Sequence, residues 1–323
     1  MTVNVLVTGA SGFVGSRLVD ELNLRKNFVP VAAVRNHNKQ ISSKVRQVVV
    51  ESLGENISWE LALENIDIVI HAAARVHVMD DNVKDPISEY RKINVNGTLN
   101  LAKQAAKTGV KRFIFISSVK VNGESTPLDT PFTEENLPSP IDPYGISKFE
   151  TEEELLQLAA RTKMEVVCIR PVLVYGPGVK ANFYSMMKWL YRGVPLPFGA
   201  INNKRSLIAL DNLVDFIIVC IEHPAAANER FLISDGEDLS TTELLHRVSE
   251  AFGKKSHLLP VNHYILEFGL RLIGKKDLAG RLCGSLQVDI NKARRLLDWT
   301  PYINVNEGLK LTAEHFLKNK HLG

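Results

Sequence analysis

The stretch DPYGISK, Asp142 to Lys148, sets a phenol and an ammonium four residues apart. On a helix that spacing puts both on one face. An ammonium beside a phenol stabilises the phenolate, so Tyr144 with Lys148 would move a proton near neutral pH. Spacing alone decides little. With 7 tyrosines and 22 lysines in 323 residues, about half a Tyr-x-x-x-Lys match is expected by chance. A second match, Tyr184 with Lys188, is present. Context separates the two. Asp142 and Pro143 fit an N-cap and a first helical residue, so Tyr144 opens a helix. Upstream, an apolar strand ends in Ser117 and Ser118, hydroxyls suited to holding a reacting oxygen. Tyr184 has no such serine before it and reads as packing or substrate-facing.

The other chemical signal is TGASGFVG, where Gly9, Gly12 and Gly15 follow a strand pattern and open a helix pattern. Gly9 permits the tight turn, Gly12 admits a pyrophosphate to the backbone, and Gly15 lets helix and strand approach. The helix N-terminus then offers free N–H groups to the phosphates. Gly9, Gly12, Phe13, Val14 and Gly15 are the expected cofactor turn. Arg35 stands twenty residues beyond Gly15, at the end of the second strand. An acidic residue there would hold the ribose of NAD, whereas a basic one suits the 2′-phosphate of NADP. With His37 and Lys39 nearby, Arg35 favours NADP over NAD.

These residues need a scaffold. Strand patterns at 3–8, 30–35, 47–50, 67–72, 112–117 and 164–170 alternate with helical spacings such as Val14, Leu18 and Leu22. Several strands are continuously apolar, as in sheets covered on both faces. The alternation predicts an α/β fold, a doubly wound parallel (Rossmann) sheet. After about Gly176 the texture changes, and 193–206 reads as loops. Helices fit 211–222, 241–252, 261–274 and 289–297, with a strand at 230–234. The expected division is a dinucleotide-binding domain at 1–177, with 207–236 returning to it, and a smaller mixed C-terminal cap for substrate at 178–323.

Composition narrows the classes. A net charge of +3 gives no reason to invoke nucleic acid or an acidic membrane surface. Cys168, Cys220 and Cys283 are too few and too scattered for a disulfide framework or zinc site. The histidines form no metal-like cluster, and the six-residue separation of His71 and His77 fits no standard ligand spacing. No apolar run is long enough to span a bilayer and no leader pattern opens the chain, so a cytoplasmic protein is expected.

In order, VLVTGASGFVG, DIVIHAAA (67–74), NVNGT (94–98), FIFISSVKVNG (113–123), YGISK (144–148), IRPVLVYGPG (169–178) and LLDWTP (296–301) make the chain resemble the extended short-chain dehydrogenase/reductase family. The similarity is to its nucleotide-sugar epimerase, dehydratase and reductase branch and covers nearly the whole length. It implies Tyr144 as proton donor or acceptor and Lys148 as its tuner, which also bonds the nicotinamide ribose. Ser118, five residues before Gly123, is the implied catalytic hydroxyl. Asn94 resembles the asparagine that orders the active-site helix, and Ala72 and Ala73 the backbone lining the cofactor. In the cap, Asn182, Phe198 and Arg205 fall where relatives contact the nucleotide, with Arg281 a further phosphate contact. Lys120 is a substrate or surface residue, and Trp299 a core anchor. Relatives dimerise through helices near 83–108 and 143–161, so the resemblance implies a homodimer.

Three departures bear on the reaction. Arg35 replaces the acidic residue with which sugar 4-epimerases hold NAD. Leu173 stands where they carry an asparagine near the diphosphate, and Ser52 where an aspartate sits near adenine. Val119 and Lys120 replace the carboxyl pair of a dehydratase. Arg35 therefore tilts the expectation to an NADPH-consuming reductase of a 4-keto nucleotide sugar; SSVKVNG and PIDPYGISK resemble the branch that makes deoxy-aminosugar precursors of surface polysaccharides, which implies a UDP-4-keto-6-deoxy-aminosugar as substrate. The alternatives are a UDP-sugar 4-epimerase with bound NAD and a non-catalytic cofactor-binding sensor or assembly protein.

Overall fold

The computed structural model describes residues 2–75, 85–272 and 276–319. His77 and the first two residues of the 83–108 segment lie outside them.

Seven strands form one parallel sheet: β1 (Val3–Thr8), β2 (Phe28–Val34), β3 (Arg46–Val49), β4 (Ile68–His71), β5 (Arg112–Ile116), β6 (Glu165–Pro171) and, last along the chain, β9 (Arg230–Ile233). Their order is β3-β2-β1-β4-β5-β6-β9. Side chains alternate between two cores, as the period of two requires. Val5 and Val7 join Ile68, Ile70, Ile114 and Ile169 on one face. Leu6 joins Val69, Phe113, Phe115 and Val166 on the other. That double coverage explains the continuously apolar strand sequences.

Helices α1 (Phe13–Leu24), α2 (Glu60–Leu63), α3 (Pro86–Tyr90), α4 (Thr98–Thr108), α5 (Pro143–Arg161) and α7 (Leu210–Glu222) flank this sheet. Leu213, Phe216 and Ile217 of α7 pack with Leu18 and Leu22 of α1, while Leu101 of α4 and Leu155 of α5 pack on the opposite face. Between α3 and α4, Arg91–Gly97 form a wide-turned π-helix, a device frequent at functional sites.

The remaining strands, β7 (Leu173–Tyr175), β8 (Arg205–Ala209) and β10 (Asp238–Leu239), make a mixed sheet in the order β10-β8-β7. It pairs β7 with β8 in parallel and β8 with β10 antiparallel. Helices α6 (Ala181–Tyr191), α8 (Thr241–Ala251) and α12 (Val305–Asn319) enclose a third core around Tyr175, Phe183, Leu245 and Phe316. Two more, α9 (His263–Leu272) and α10 (Lys276–Cys283), lie at 261–283, and α11 (Asn291–Leu297) precedes Trp299. Trp299 is buried against Phe216, ring centroids 4.9 Å apart, and its Nε1 donates to Asp215 at 2.9 Å. Cys168 and Cys220 are buried free thiols and Cys283 is half-buried. Among the described residues no helix is long and apolar enough to cross a membrane.

Candidate active site

The turn after β1 is built from contacts that only hydrogen satisfies. Gly9 has φ +67°, and a Cβ there would stand 2.8 Å from the Ala73 nitrogen. At Gly15 a Cβ would meet the Gly9 oxygen at 2.2 Å, so helix and turn could not approach as they do. Gly12 N–H donates to the Gly9 oxygen at 2.8 Å. Gly12 caps α1 with no side-chain hydrogen bond, so Phe13 and Val14 open a helix whose first N–H groups have no side-chain acceptor. This glycine-lined cradle at a helix N-terminus fits a dinucleotide pyrophosphate. Ala72 and Ala73 follow β4 directly above it; Ala73 N–H reaches Thr8 Oγ1 at 3.3 Å.

Beneath them lies a network that sequence reasoning did not find. His71 is fully buried, with Nδ1 at 2.7 Å from Thr8 Oγ1 and Nε2 at 2.9 Å from Thr98 Oγ1. Burial first, and then the Lys148 charge, pushes its pKa down to about 3. The ring is therefore a neutral strut joining β1, β4 and α4. Its only sequence signal is a polar residue at the end of an apolar strand.

Arg35 stands exposed just past β2. It lines a cleft of about 530 Å³ with Ser11, His37, Lys39 and Glu51. Ser52 is exposed and belongs to the same strand-end region. Two or more cations at this rim fit a ribose phosphate, and Glu51 beside them is an acceptor of the kind a ribose hydroxyl needs.

At the neighbouring strand end, Ser117 is buried and its Oγ has no hydrogen-bond partner, whereas Ser118 is half-exposed. Ser118 caps the 3-10 turn Val119–Val121, its Oγ accepting from Lys120 N–H at 3.2 Å. That turn lies against the start of α5: a Cβ on Gly145 would fall 2.9 Å from the Lys120 oxygen. The Lys120 ammonium pairs with Asp142 and, at 3.4 Å, with Glu124. Asp142 in turn caps α5, accepting from Gly145 N–H at 2.6 Å. Lys120 thus braces the helix that begins with Tyr144.

Lys148, one turn on, is buried. Its Nζ donates to the Ile116 oxygen at 2.7 Å. It lies 4.4 Å from the Phe115 ring centroid and 5.7 Å from that of Tyr144. Burial pulls the ammonium down to about 7, against an opposing pull from Glu152 and Cys168. Tyr144 sits half-exposed, edge-on to Tyr90 with centroids 6.3 Å apart. Among the protein's own groups, burial, then Asp142, then Tyr90 push its phenol upward. The lowering expected from Lys148 is not among these causes; its ammonium bonds the Ile116 oxygen and lies near the Phe115 ring. A cation at the nicotinamide position would act in the lowering direction.

Asn94, in the π-helix, is buried. Its amide accepts from Arg75 N–H at 2.8 Å and donates to the Arg75 oxygen at 3.1 Å. It also donates to Ser147 Oγ at 3.1 Å, joining the loop after β4 to α5. From behind, Arg170 of β6 grips α5 through Glu152 at 2.6 Å and holds Asn122 at 2.9 Å, with all three buried.

The cap residues are more dispersed. Asn182 is exposed at the start of α6, after Ala181 with φ +53°. Phe198 is half-buried against the third core. Arg205 donates to the Gly284 oxygen at 3.0 Å, and its pKa is lowered by burial and then by the nearby Arg281. Arg205 and exposed Arg281 thus concentrate positive charge, an arrangement suited to a diphosphate. Leu173 is half-exposed on β7.

A dinucleotide cradle, a Tyr-Lys pair on one helix and a serine at the adjoining strand end define an extended short-chain dehydrogenase/reductase. Residues 5–234 match the NAD dependent epimerase/dehydratase family, and the chain belongs to that family of enzymes. It is 47% identical to a UDP-glucose 4-epimerase of Vibrio cholerae, over 98% of this chain and 97% of that protein. It is 30% identical to the N-acetyl-α-D-glucosaminyl-diphospho-ditrans,octacis-undecaprenol 4-epimerase of Escherichia coli O157:H7, over 98% of this chain and 96% of that protein. Its backbone resembles a Thermotoga maritima UDP-glucose 4-epimerase solved with UDP-glucose, with TM-score 0.77, 27% identity, and 98% and 99% of the two chains covered.

Proposed function

We propose that the chain interconverts C4 epimers of a UDP-sugar, with NAD held in the glycine cradle. This departs from the reductase expected from the sequence. The observation that carries it is the placing of Tyr144, Lys148 and Ser118 around one strand end, in a chain 47% identical to a UDP-glucose 4-epimerase. The nicotinamide supplies reversible hydride exchange at the sugar carbon. Tyr144 takes the proton of the 4-hydroxyl as the carbon is oxidised and returns it as the carbon is reduced. Ser118 holds the same oxygen by hydrogen bonding. Lys148, fixed to the Ile116 oxygen, supplies a charge that favours the phenolate. Asn94 keeps α5 and the loop after β4 in register. Arg205 and Arg281 receive the diphosphate, Phe198 lies beside the base and Asn182 offers a polar contact at the cap. A homodimer through α4 and α5, as the resemblance implies, is tested by light scattering.

A reductase remains the second reading, favoured by Arg35, His37 and Lys39 around the ribose cleft. One experiment separates the two. Purified protein is incubated with UDP-glucose or UDP-N-acetylglucosamine without added cofactor, and the products are resolved by ion-exchange chromatography. Appearance of the galacto epimer supports the epimerase. No epimer, with NADPH consumed on addition of a UDP-4-keto-6-deoxy-aminosugar, overturns it in favour of the reductase. Nucleotide binding without either reaction would leave a non-catalytic sensor.

A further inference from the structure

The cap of α5 carries a charge that capping does not require. Asp142 accepts from Gly145 N–H at 2.6 Å, a task for which asparagine or serine would serve as well. An aspartate adds a negative charge two residues before the phenol. After burial it is the largest influence raising the Tyr144 pKa. A phenol that must give up its proton gains nothing from such a neighbour. The Lys120 ammonium pairs with the other oxygen of that carboxylate, and both side chains are half-buried.

The 3-10 turn that carries Lys120 is held without the ammonium. Buried Asn122, just past the turn, accepts from Arg170 at 2.9 Å and donates to the Thr133 oxygen at 3.2 Å. Ser139 N–H donates to the Val121 oxygen at 3.0 Å. The Lys120 backbone reaches Ser118 Oγ through its N–H, and the missing Cβ of Gly145 lets its oxygen approach α5. What the side chain adds is charge. The ionisable groups around Tyr144 come from three elements. On α5 are Lys148, bonded to the Ile116 oxygen, and the cap Asp142. On α3 is Tyr90, with the Arg75 guanidinium 5.7 Å from its ring centroid. From the turn come Lys120 and, 3.4 Å from its ammonium, Glu124. Among the described residues Lys120 is the one cation paired with Asp142.

We propose that Lys120 is a positioning residue for proton transfer: it offsets the Asp142 charge beside Tyr144, so that the cap of α5 does not oppose the phenolate. This rests on Tyr144 exchanging the substrate proton, a step that the epimerase and the reductase share. The effect on the phenol passes through Asp142, so it should vanish when that carboxylate is neutralised.

The test is the pH profile of kcat for wild type, Lys120→Met, Lys120→Arg and the double variant Lys120→Met/Asp142→Asn, in whichever of the two reactions wild type supports. Lys120→Met should move the rising limb to higher pH by about 0.5–1 unit and lower kcat on that limb by about three- to tenfold, with KM within about twofold. Lys120→Arg keeps the charge and should hold the limb at its wild-type pH. In the double variant asparagine keeps the cap, and the limb should return to the wild-type pH or below it. A second readout needs no turnover. With NAD bound and tyrosine carrying carbon-13 at Cζ, the nuclear magnetic resonance signal absent from Tyr144→Phe reports this phenol. It should titrate at higher pH in Lys120→Met than in wild type, and not in the double variant. A loss of kcat in Lys120→Met with an unmoved limb would leave Lys120 a mechanical brace and overturn the proposal. So would a KM raised about tenfold with the limb unmoved, the mark of a substrate contact, or a phenol titration identical in wild type and Lys120→Met. Full turnover in Tyr144→Phe would refute the role of Tyr144 itself, and the proposal with it.

Discussion

Lys148→Met should make the protein more stable while removing its activity, and the gain should fade as pH rises. The buried ammonium titrates at about 7 in the folded protein instead of 10.5. Between those values the unfolded chain binds more protons, so wild-type stability climbs with pH through that window. Below pH 7 holding the ammonium buried, at about 7 instead of 10.5, costs on the order of 5 kcal/mol. By pH 9 about 2 kcal/mol of it remains. Methionine fills a similar volume without a charge but leaves the Ile116 oxygen unpaired, a loss of about 1–3 kcal/mol. The variant should therefore exceed wild type by about 2–4 kcal/mol at pH 6 and roughly match it at pH 9. Urea unfolding followed by circular dichroism at pH 6, 7.5 and 9 reads this directly, with equal m-values as the condition for comparison. A stability gap constant over that range, or a variant weaker than wild type at pH 6, would refute the assignment of a depressed amine at Lys148.

Tyr144→Phe removes one hydroxyl from a half-exposed ring, so melting temperature and NAD affinity should hold while kcat falls by about 10²–10⁴; steady-state kinetics with titration of NAD fluorescence checks both. Gly15→Ala would put a methyl 2.2 Å from the Gly9 oxygen, so NAD binding measured by calorimetry should weaken by at least about tenfold as the turn is displaced. Glu152→Gln leaves the Arg170 guanidinium buried without its counter-charge, a loss of about 3–5 kcal/mol in denaturant unfolding.

Much of the cofactor half was legible because its signals are local. Strands covered on both faces leave apolar runs, and a glycine triplet between strand and helix announces its turn within eight residues. The Tyr144 helix declared itself through Asp142 and Pro143, and the structure confirms the cap. The second sheet was not legible. Strand β8 takes its partners from β7, some thirty residues earlier, and from β10, only two residues long, so no local alternation marks it. Nor was α6, whose apolar positions sit among Tyr184, Lys188 and Trp189. The π-helix hides inside an ordinary helical pattern because one widened turn shifts the face without changing composition. His71 with Thr8 and Thr98, and Lys120 with Asp142, unite residues from 22 to 63 positions apart, distances at which sequence spacing carries no geometry.

The last strand of the large sheet, β9, lies against β6 through Cys168 to Pro171 but is made sixty residues later. A chain leaving the ribosome must therefore carry an open β6 edge, with Cys168, Ile169 and their neighbours unprotected, until residues 230–233 have emerged. Synthesis and folding are coupled over that interval, when edge-to-edge sticking is the chief hazard. A gene cut anywhere between the two strands would yield a fragment prone to aggregate rather than a free-standing nucleotide-binding half.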